Sequence, residues 1–210
     1  MDLYKMTLWQ VFLAGGPVMW PILLCSIVAL ALIIERLWYL HKMDIDSQEF
    51  LANILDKIKR HQIKEALQFC DNTEHPMSNI LKAGILKYDR PRSQIKEAIE
   101  DASLYEVPKL EKNLPLLATI AHISPLLGLL GTVTGMVVSF HTIQTKSVTA
   151  YPVSPGDLAG GIWQALLTTV AGLLVAIPAF VAYNYLASRI NNIVLGIEKA
   201  STELVNFLTE

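Results

Sequence analysis

Apolar residues are concentrated in three long runs of this 210-residue chain. Residues 6–34, 115–145 and 158–188 contain no Asp, Glu, Lys or Arg. An α-helix needs about 20 residues to cross the hydrocarbon core of a bilayer, so each run is long enough to span a membrane. The pattern therefore predicts an all-α membrane protein with three transmembrane helices.

A turn signal, Gly15-Gly16-Pro17, divides the first apolar run. Residues 1–14 are therefore predicted to form an amphipathic helix in the membrane interface, where the rings of Trp9 and Phe12 suit the headgroup boundary. The first transmembrane helix is placed after the turn, at residues 18–41.

The polar region that follows, residues 42–114, is predicted to be a helical cytoplasmic domain. Its apolar residues recur at helical spacing, and the clearest stripe consists of Phe50, Ile54 and Ile58. Residues 92–114 carry a similar stripe and enter the second apolar run without a glycine. We expect one long helix here that leaves the bilayer and is kinked, but not ended, by Pro108 and Pro115.

The remaining boundaries follow from the second and third apolar runs. The second and third transmembrane helices are placed at residues 115–145 and 158–188, with a periplasmic link at 146–157 and a cytoplasmic tail at 189–210. Both helices are expected to extend into the cytoplasm.

Charge is segregated in the same way as hydropathy. Of 36 charged residues, 27 lie within residues 35–112, whereas a soluble domain would distribute them over its whole surface. Residues 36–112 hold 13 of the 17 Lys and Arg side chains, and the 146–157 link holds one. The positive-inside rule then places the N-terminus outside and the C-terminus inside. The net charge of −2, without a clustered basic patch, argues against a nucleic-acid partner.

The polar residues show no pattern typical of an enzyme. We find no nucleophile–base pairing, no metal-ligand spacing and no phosphate-binding loop, and the five histidines are scattered. No enzymatic activity, cofactor or metal site is therefore expected. Cys25 and Cys70 lie in different surroundings and do not suggest a disulfide framework.

Small residues line one face of each of the last two transmembrane helices. Such faces let helix backbones approach closely in lipid. In the second helix the face comprises Gly128, Gly131, Thr132, Gly135 and Ser139. In the third it comprises Gly161, Ala165, Thr168, Thr169, Gly172, Ala176 and Ala179. Gly128, Gly131, Gly135 and Gly172 are assigned to helix packing.

Neither of these two helices contains a carboxylate. A protein that conducts ions by itself normally keeps an ionisable side chain in a span, so we expect a missing carboxylate to come from another protein. His122 is interpreted as an interhelical hydrogen-bonding residue rather than a proton relay. Glu35 and Arg36 are expected to snorkel or pair at the inner interface.

Three segments make the sequence recognisable: GGPVMWP at 15–21, SPLLGLLGTVTGM at 124–136 and GIWQALLTTVAGLLVAIPA at 161–179. They resemble the MotA/TolQ/ExbB proton-channel family, and within it the ExbB branch. The resemblance covers all three predicted transmembrane helices in the expected order.

This resemblance implies a motor-type, multi-pass subunit of a bacterial inner membrane. In the family, five such chains form a homo-oligomeric ring around the single transmembrane helices of two ExbD/TolR-type partners, and the partner supplies a membrane aspartate. Ion flow is thereby coupled to mechanical work across the periplasm, for example through a TonB-type protein to outer-membrane transport.

Carried over residue by residue, Thr132 and Thr169 match the family's two pore threonines. Thr168 and Gln164 are assigned to the same partner-facing ion pathway. Gln164 stands where ExbB and TolQ proteins commonly carry a glutamate, and an amide keeps hydrogen bonding but does not titrate. H⁺ is the expected ion, and Na⁺ stays open because hydroxyl and carbonyl oxygens suit a hard cation.

Two other classes of membrane protein are alternatives to an ion channel. A non-conducting helical membrane scaffold would use the same small-residue faces, and only the threonines and the family motifs speak against it. A secondary transporter would need internal repeats and more than three spans, and we see no repeat.

Overall fold

The computed structural model describes residues 7–43, 45–148 and 154–209, and every regular element within these ranges is an α-helix. The helices are α1 Leu8–Ala14, α2 Met19–Lys42, α3 Ser47–Lys59, α4 Ile63–Asp71, α5 Pro76–Ile85, α6 Arg92–Glu111, α7 Leu114–Val148 and α8 Pro155–Thr209. Three of them, α2, α7 and α8, are long and apolar enough to cross a membrane. The prediction of an all-helical protein with three candidate spans is confirmed.

The orientation and the homo-oligomeric ring stay predictions. Residues 1–6 of the predicted interfacial helix and residues 149–153 of the predicted link lie outside the described residues.

The chain divides into two compact units. The first, called the membrane unit, comprises Met1–Glu35 and Pro115–Asn184, and the second, called the polar unit, comprises Arg36–Leu114 and Tyr185–Glu210. Each unit therefore combines segments that are distant in sequence.

In the membrane unit, α1 begins with a capping box. The side chain of Thr7 accepts a hydrogen bond from the backbone N–H of Gln10 (3.4 Å), and Gln10 Oε1 accepts one from the N–H of Thr7 (3.0 Å). After α1 the chain turns at Gly16, whose φ of 75° favours glycine. The ring of Phe12 then packs edge-on against that of Trp20, with centroids 5.0 Å apart, and connects α1 to α2.

The polar unit has a conventional hydrophobic core. Its fully buried large side chains come from α3, α5, α6 and the end of α8 and include Ile54, Met77, Ile80, Leu81, Ile85, Ile95, Leu110 and Leu204. Two of its helices have side-chain N-caps: Asp46 Oδ1 accepts from the N–H of Gln48 (2.9 Å), and His75 Nδ1 accepts from the N–H of Met77 (3.1 Å).

The expectation of one continuous helix from residue 92 into the second span is wrong. Helix α6 ends at Glu111, the backbone of Lys112 is extended at ψ 136°, and Asn113 adopts a left-handed φ of 67°. Asparagine tolerates this region better than most residues. Pro115 has no N–H and restricts the residue before it, so it favours a new helix start.

The third span, in contrast, continues as one helix. Helix α8 runs for 55 residues from Pro155 to Thr209, with Pro178 inside it. Pro108 likewise lies inside α6 without ending it. A proline in these helices therefore does not by itself mark a helix end.

Candidate ion-pathway site in the membrane unit

Helices α7 and α8 meet along a seam of small residues. A Cβ atom added at Gly172 would lie 2.6 Å from the carbonyl oxygen of Ser124, and one added at Gly128 would lie 3.1 Å from the Cα of Thr169. These distances leave no room for a side chain, because the neighbouring atoms belong to the backbone of the other helix. The seam is thus built by van der Waals contact between backbones.

The rest of the seam repeats this pattern toward the other end of the two helices. Gly135 faces Gly161 and Ala165, and Gly131 faces Thr168. Ser139 adds a polar link between the helices, because its hydroxyl donates to the carbonyl of Leu158 at 3.2 Å.

Thr169 lies half-buried at the edge of the seam. Its hydroxyl is within hydrogen-bond distance of two carbonyl oxygens, that of Gly128 on α7 (3.4 Å) and that of Ala165 on its own helix (3.3 Å). Thr169 therefore joins the two helices and keeps part of its surface accessible.

Thr132 is also half-buried, next to the seam residue Gly131. Its hydroxyl donates to the carbonyl of Leu129 at 2.6 Å. A hydroxyl that donates to a carbonyl still has lone pairs with which it can accept a hydrogen bond or ligate a cation. Thr132 and Thr169 are thus both partly exposed and keep acceptor capacity, and their role in an ion pathway stays a prediction.

The structure places Thr168 differently from its predicted position in a partner-facing pathway. Its side chain has 0% relative exposure, packs against Gly131 and donates to the carbonyl of Ala165 at 2.8 Å. Adjacent residues of a helix point about 100° apart, so Thr168 faces into the seam while Thr169 lies at its edge. A side chain already buried within one chain has no surface left for a lumen.

Gln164 lies on the same side of α8 as Gly161 and Thr168, and its amide packs against Gly16 in the turn between α1 and α2. The side chain is half-buried. Gly16 combines a left-handed φ with this close contact, so a side chain there would meet both backbone strain and the Gln164 amide. The sequence signalled the turn through its glycine pair but not its contact with α8.

His122 does not form the predicted interhelical hydrogen bond. Its Nδ1 is 2.7 Å from the carbonyl of Ala118 on its own helix. Its contact with α8 is aromatic, since its ring packs edge-on against that of Phe180 with centroids 5.9 Å apart. Among the described residues, His122 therefore contacts α8 through its ring and not through the hydrogen bond that the sequence predicted.

In the described parts of the chain, no group of three or more His, Cys, Asp or Glu side chains is arranged to hold a metal ion. The expectation that the protein has no metal site or cofactor stays a prediction.

The seam and both threonines lie within a longer segment that matches a known protein family. A model of the MotA/TolQ/ExbB proton channel family matches residues 72–199. The chain belongs to this family. The match includes all of α5, α6 and α7 and most of α8, whereas α1 and α2 lie before it.

Individual relatives place the chain in the ExbB branch. An ExbB-like protein of a Synechocystis species is 33% identical over 176 residues, which cover 84% of this chain and 83% of the relative. A biopolymer transport protein of the ExbB type from Vibrio cholerae is 34% identical over 176 residues, with 78% and 72% covered. The Tol-Pal system protein TolQ of Haemophilus influenzae is 40% identical over 109 residues, with 50% and 46% covered.

Membership in the MotA/TolQ/ExbB family supports a proton-channel-type subunit for energy transduction in a membrane. The family is one of transport channels and not of enzymes. The chain is accordingly a multi-pass membrane protein with three candidate spans.

Proposed function

We propose that this chain is the ring-forming subunit of an ion-driven motor in a bacterial inner membrane. Five copies surround the transmembrane helices of an ExbD/TolR-type single-span partner, and ion flow between ring and partner is coupled to mechanical work across the periplasm. A TonB-type protein that drives outer-membrane transport is the recipient that the ExbB branch suggests. The relatives' names, biopolymer transport and Tol-Pal system, support work of this kind.

The observation that carries this proposal is the pair of half-buried hydroxyls, Thr132 and Thr169, beside a seam without any carboxylate. Residues 115–145 and 158–188 supply no acidic side chain, so the titrating group of the pathway belongs to the partner. A carboxylate that moves along α7 and α8 needs hydrogen-bonding oxygens at its stopping points. Thr132 and Thr169 provide them at the edges of a rigid helix pair.

Protons are the proposed ion. Gln164 has an amide in place of the family's usual glutamate, and its contact with Gly16 gives it a packing role at the α1–α2 turn. A proton pathway therefore runs through the partner's carboxylate and not through Gln164. The second candidate is a sodium-driven member, supported by the Thr169 hydroxyl, which lies within hydrogen-bond distance of the carbonyl oxygens of Gly128 and Ala165.

The test replaces each hydroxyl with a methyl group of similar shape. Thr132→Val and Thr169→Val are expected to leave the ring assembled, because an intramembrane hydrogen bond contributes only about 0.6–2 kcal/mol. Partner-dependent ion flux in liposomes is expected to fail, while the corresponding serine variants, which keep the hydroxyl, retain part of it. Thr134→Val is the matched control, since Thr134 is also half-buried on α7 and donates to the carbonyl of Gly131 at 3.0 Å.

Several outcomes would reject the proposal. Parental flux in both valine variants, or a loss that only follows ring collapse, would make these threonines packing residues and favour the scaffold interpretation. Strong flux without the partner would show that the carboxylate is not needed. Flux driven by a sodium gradient and insensitive to the pH gradient would favour the sodium-driven alternative.

A further inference from the structure

The imidazole of His122 is exposed on α7, and its hydrogen bond determines which ring nitrogen carries the hydrogen. Nδ1 is 2.7 Å from the carbonyl oxygen of Ala118, one turn earlier in the same helix. A carbonyl oxygen only accepts hydrogen bonds, so Nδ1 must be the donor. In the neutral ring Nε2 is then unprotonated and has a free lone pair. The hydrogen bond therefore favours the tautomer that can accept a proton at Nε2.

A ring contact with α8 restricts this imidazole further. The His122 ring packs edge-on against that of Phe180, with an interplanar angle of 79° and centroids 5.9 Å apart. The bond to Ala118 and the ring contact act on the same side chain from two helices. The direction of Nε2 is thus set by α7 and α8 together, which pack through the seam.

His122 lies on the side of the helix pair that also carries the two threonines. Thr169 and Phe180 each come directly after a buried residue of α8. They are about three turns apart, so their side chains point the same way. Thr132 likewise comes directly after a seam residue of α7. Because the seam contacts show that the helices run antiparallel, one step past the seam on either helix leads to the same side of the pair. His122 reaches this side through its contact with Phe180.

His122 lies at one end of this side, away from the threonines. Phe180 comes 11 residues after Thr169, which corresponds to about 16 Å along α8. In the predicted orientation, with the C-terminus inside, this end is the cytoplasmic one. The other histidine of α7, His141, lies beyond Thr132 toward the opposite end. A proton that has passed the threonines on its way to the cytoplasm would therefore meet His122 next.

The free nitrogen of His122 calls for polar surroundings. No described residue of this chain bonds to Nε2, and a polar group that faces hydrocarbon without a hydrogen bond costs free energy. Ionisable side chains within membrane spans almost always face the interior of a bundle or a water-filled cavity. These considerations favour a water-filled lumen over lipid on the side of the helix pair that carries His122.

We propose that His122 is the proton acceptor at the cytoplasmic end of the ion pathway. This inference rests on the proposed function, in which an ExbD/TolR-type partner carries the carboxyl group. The carboxyl releases its proton to water and becomes a carboxylate, and the Nε2 lone pair of His122 takes the proton from water and forms an N–H bond. The imidazolium then returns this proton from Nε2 to water on the cytoplasmic side, while Nδ1–H stays bonded to Ala118. His122 is then a proton relay, contrary to the expectation from sequence.

The test separates proton transfer from packing at this position. His122→Gln keeps a polar side chain that does not titrate, and His122→Phe keeps a ring beside Phe180 but has no nitrogen. His141→Gln is the matched control, because His141 is also exposed on α7 but points about 100° away from His122 around the helix axis. Each variant is reconstituted in liposomes with the ExbD/TolR-type partner, and proton flux and ring assembly are measured in parallel.

We expect partner-dependent flux to fall on the order of a hundredfold in both His122 variants, which is a typical contribution of a positioned acid–base group, with the ring still assembled. His141→Gln is expected to keep parental flux. A second measurement needs no partner: nitrogen-15 NMR of the histidine-labelled chain in nanodiscs at mildly alkaline pH. The His122 signals, assigned by their loss in His122→Gln, are expected to show a protonated Nδ1 and an unprotonated Nε2.

Parental flux in His122→Gln would overturn the proposal. Parental flux in His122→Phe alone would make His122 a packing residue and would overturn it too, as would a loss of flux that only follows ring collapse. A spectrum with the hydrogen on Nε2 would have the same consequence, and this measurement decides if neither variant assembles. If the parent shows no partner-dependent flux, the proposed function itself fails, whereas parental flux with unaffected His122 variants rejects only the role of His122.

Discussion

The two units of this chain are packed by opposite means. The polar unit buries large aliphatic side chains, among them Ile80 and Leu81, between short helices. The membrane unit brings α7 and α8 together through glycines and turns its leucines outward, as at Leu130 and Leu174. In water, burial of apolar surface drives packing. In lipid the surroundings are as apolar as leucine, so close backbone approach drives it instead.

The same residue type therefore has opposite roles in the two units. Leu81 in the polar unit is a core residue, whereas Leu130 on α7 lies on the exposed surface of the chain. A glycine in the seam acts as a core residue, because the absence of a side chain lets the backbones of α7 and α8 make contact. Substitutions matched by residue type can separate the two modes of packing.

The largest effect is expected from truncating a leucine. Leu81→Ala in the polar unit, where the side chain has 0% exposure, is expected to lower the free energy of unfolding by about 2–5 kcal/mol through lost burial and the cavity left behind. Leu130→Ala, at 51% exposure on α7, is expected to change it by less than about 0.5 kcal/mol. Thermal unfolding of the purified chain in mild detergent measures both. Equal losses would contradict the assignment of Leu130 to the exposed surface of the chain.

Adding a methyl group to a glycine is expected to destabilise the chain where the glycine lies in the seam and not where it lies outside the seam. Gly161→Ala places a Cβ against the carbonyl of Gly135 and the hydroxyl of Ser139, and overpacking of this kind costs about 1–3 kcal/mol. Gly160→Ala is the matched control, because no atom of the described part of the chain lies within 4 Å of a Cβ added there. The control is expected to be neutral or stabilising, since alanine is favoured over glycine in helices by about 1 kcal/mol.

Both variants are tested by ring assembly and by thermal unfolding in detergent. Ring dissociation or a lower unfolding temperature in Gly161→Ala, while Gly160→Ala behaves like the parent, would support a seam that depends on close backbone approach. The same behaviour in both variants would show that the seam does not depend on close backbone approach.

The sequence predicted the features of this fold that depend on composition. A long run without charged residues identifies a span regardless of what packs against it. The seam glycines can be identified because small residues recur on one face of each helix. It did not predict the break at Asn113, although an asparagine followed closely by Pro115 is a known signal. The same proline is also compatible with a kink, and the sequence does not decide between the two. In the structure Leu110 and Leu114, which flank the break, are both buried.

The candidate site was predicted less completely than the fold. Thr168 and Thr169 are adjacent and chemically alike, and sequence alone does not tell which one the seam buries. Gln164 looked like a pathway residue because of what relatives carry there, whereas its contact with Gly16 depends on a turn about 150 positions away in sequence. Arg36 was expected at the membrane interface for the same reason. In the structure it is buried and donates to the carbonyls of Lys109 and Leu110, which become its neighbours only in the folded chain.

A smaller effect, and one of opposite sign, is expected from removing an unsatisfied hydroxyl in the polar unit. Ser78 has 0% exposure, and its Oγ has no hydrogen-bond partner among the residues that the structure describes. Ser78→Ala is expected to raise the free energy of unfolding by about 1 kcal/mol, because burying an unpaired hydroxyl costs energy. Ser103→Ala is the control, since Ser103 donates to the carbonyl of Ile99 at 2.8 Å. A loss of stability in Ser78→Ala would reveal a partner for this hydroxyl.

The smallest expected effect is a pH dependence confined to the polar unit. His75 is 4% exposed, caps α5 by accepting from the N–H of Met77 through Nδ1, and approaches the carbonyl of Met43 through Nε2 at 3.2 Å. Burial lowers the pKa of His75 below its ordinary value of 6.5, and the bond to Met43 offsets only part of this shift. The folded chain therefore holds His75 neutral while the unfolded chain takes up a proton at its ordinary pKa. Stability is complete above pH 6.5 and falls as the pH decreases from there toward the lowered pKa of the folded state.

This dependence is measured by hydrogen–deuterium exchange of the α5 amides, corrected for the intrinsic effect of pH on exchange. His75→Asn keeps an N-cap acceptor but does not titrate, so it is expected to flatten the pH profile of α5 protection. His61→Asn is the matched control: His61 is exposed at a left-handed φ of 58°, a conformation that asparagine tolerates, and its profile is expected to follow the parent. A parental slope in His75→Asn would assign the pH dependence to another group. A slope of opposite sign in the parent would mean that the folded chain binds the proton and that His75 caps α5 in a different way.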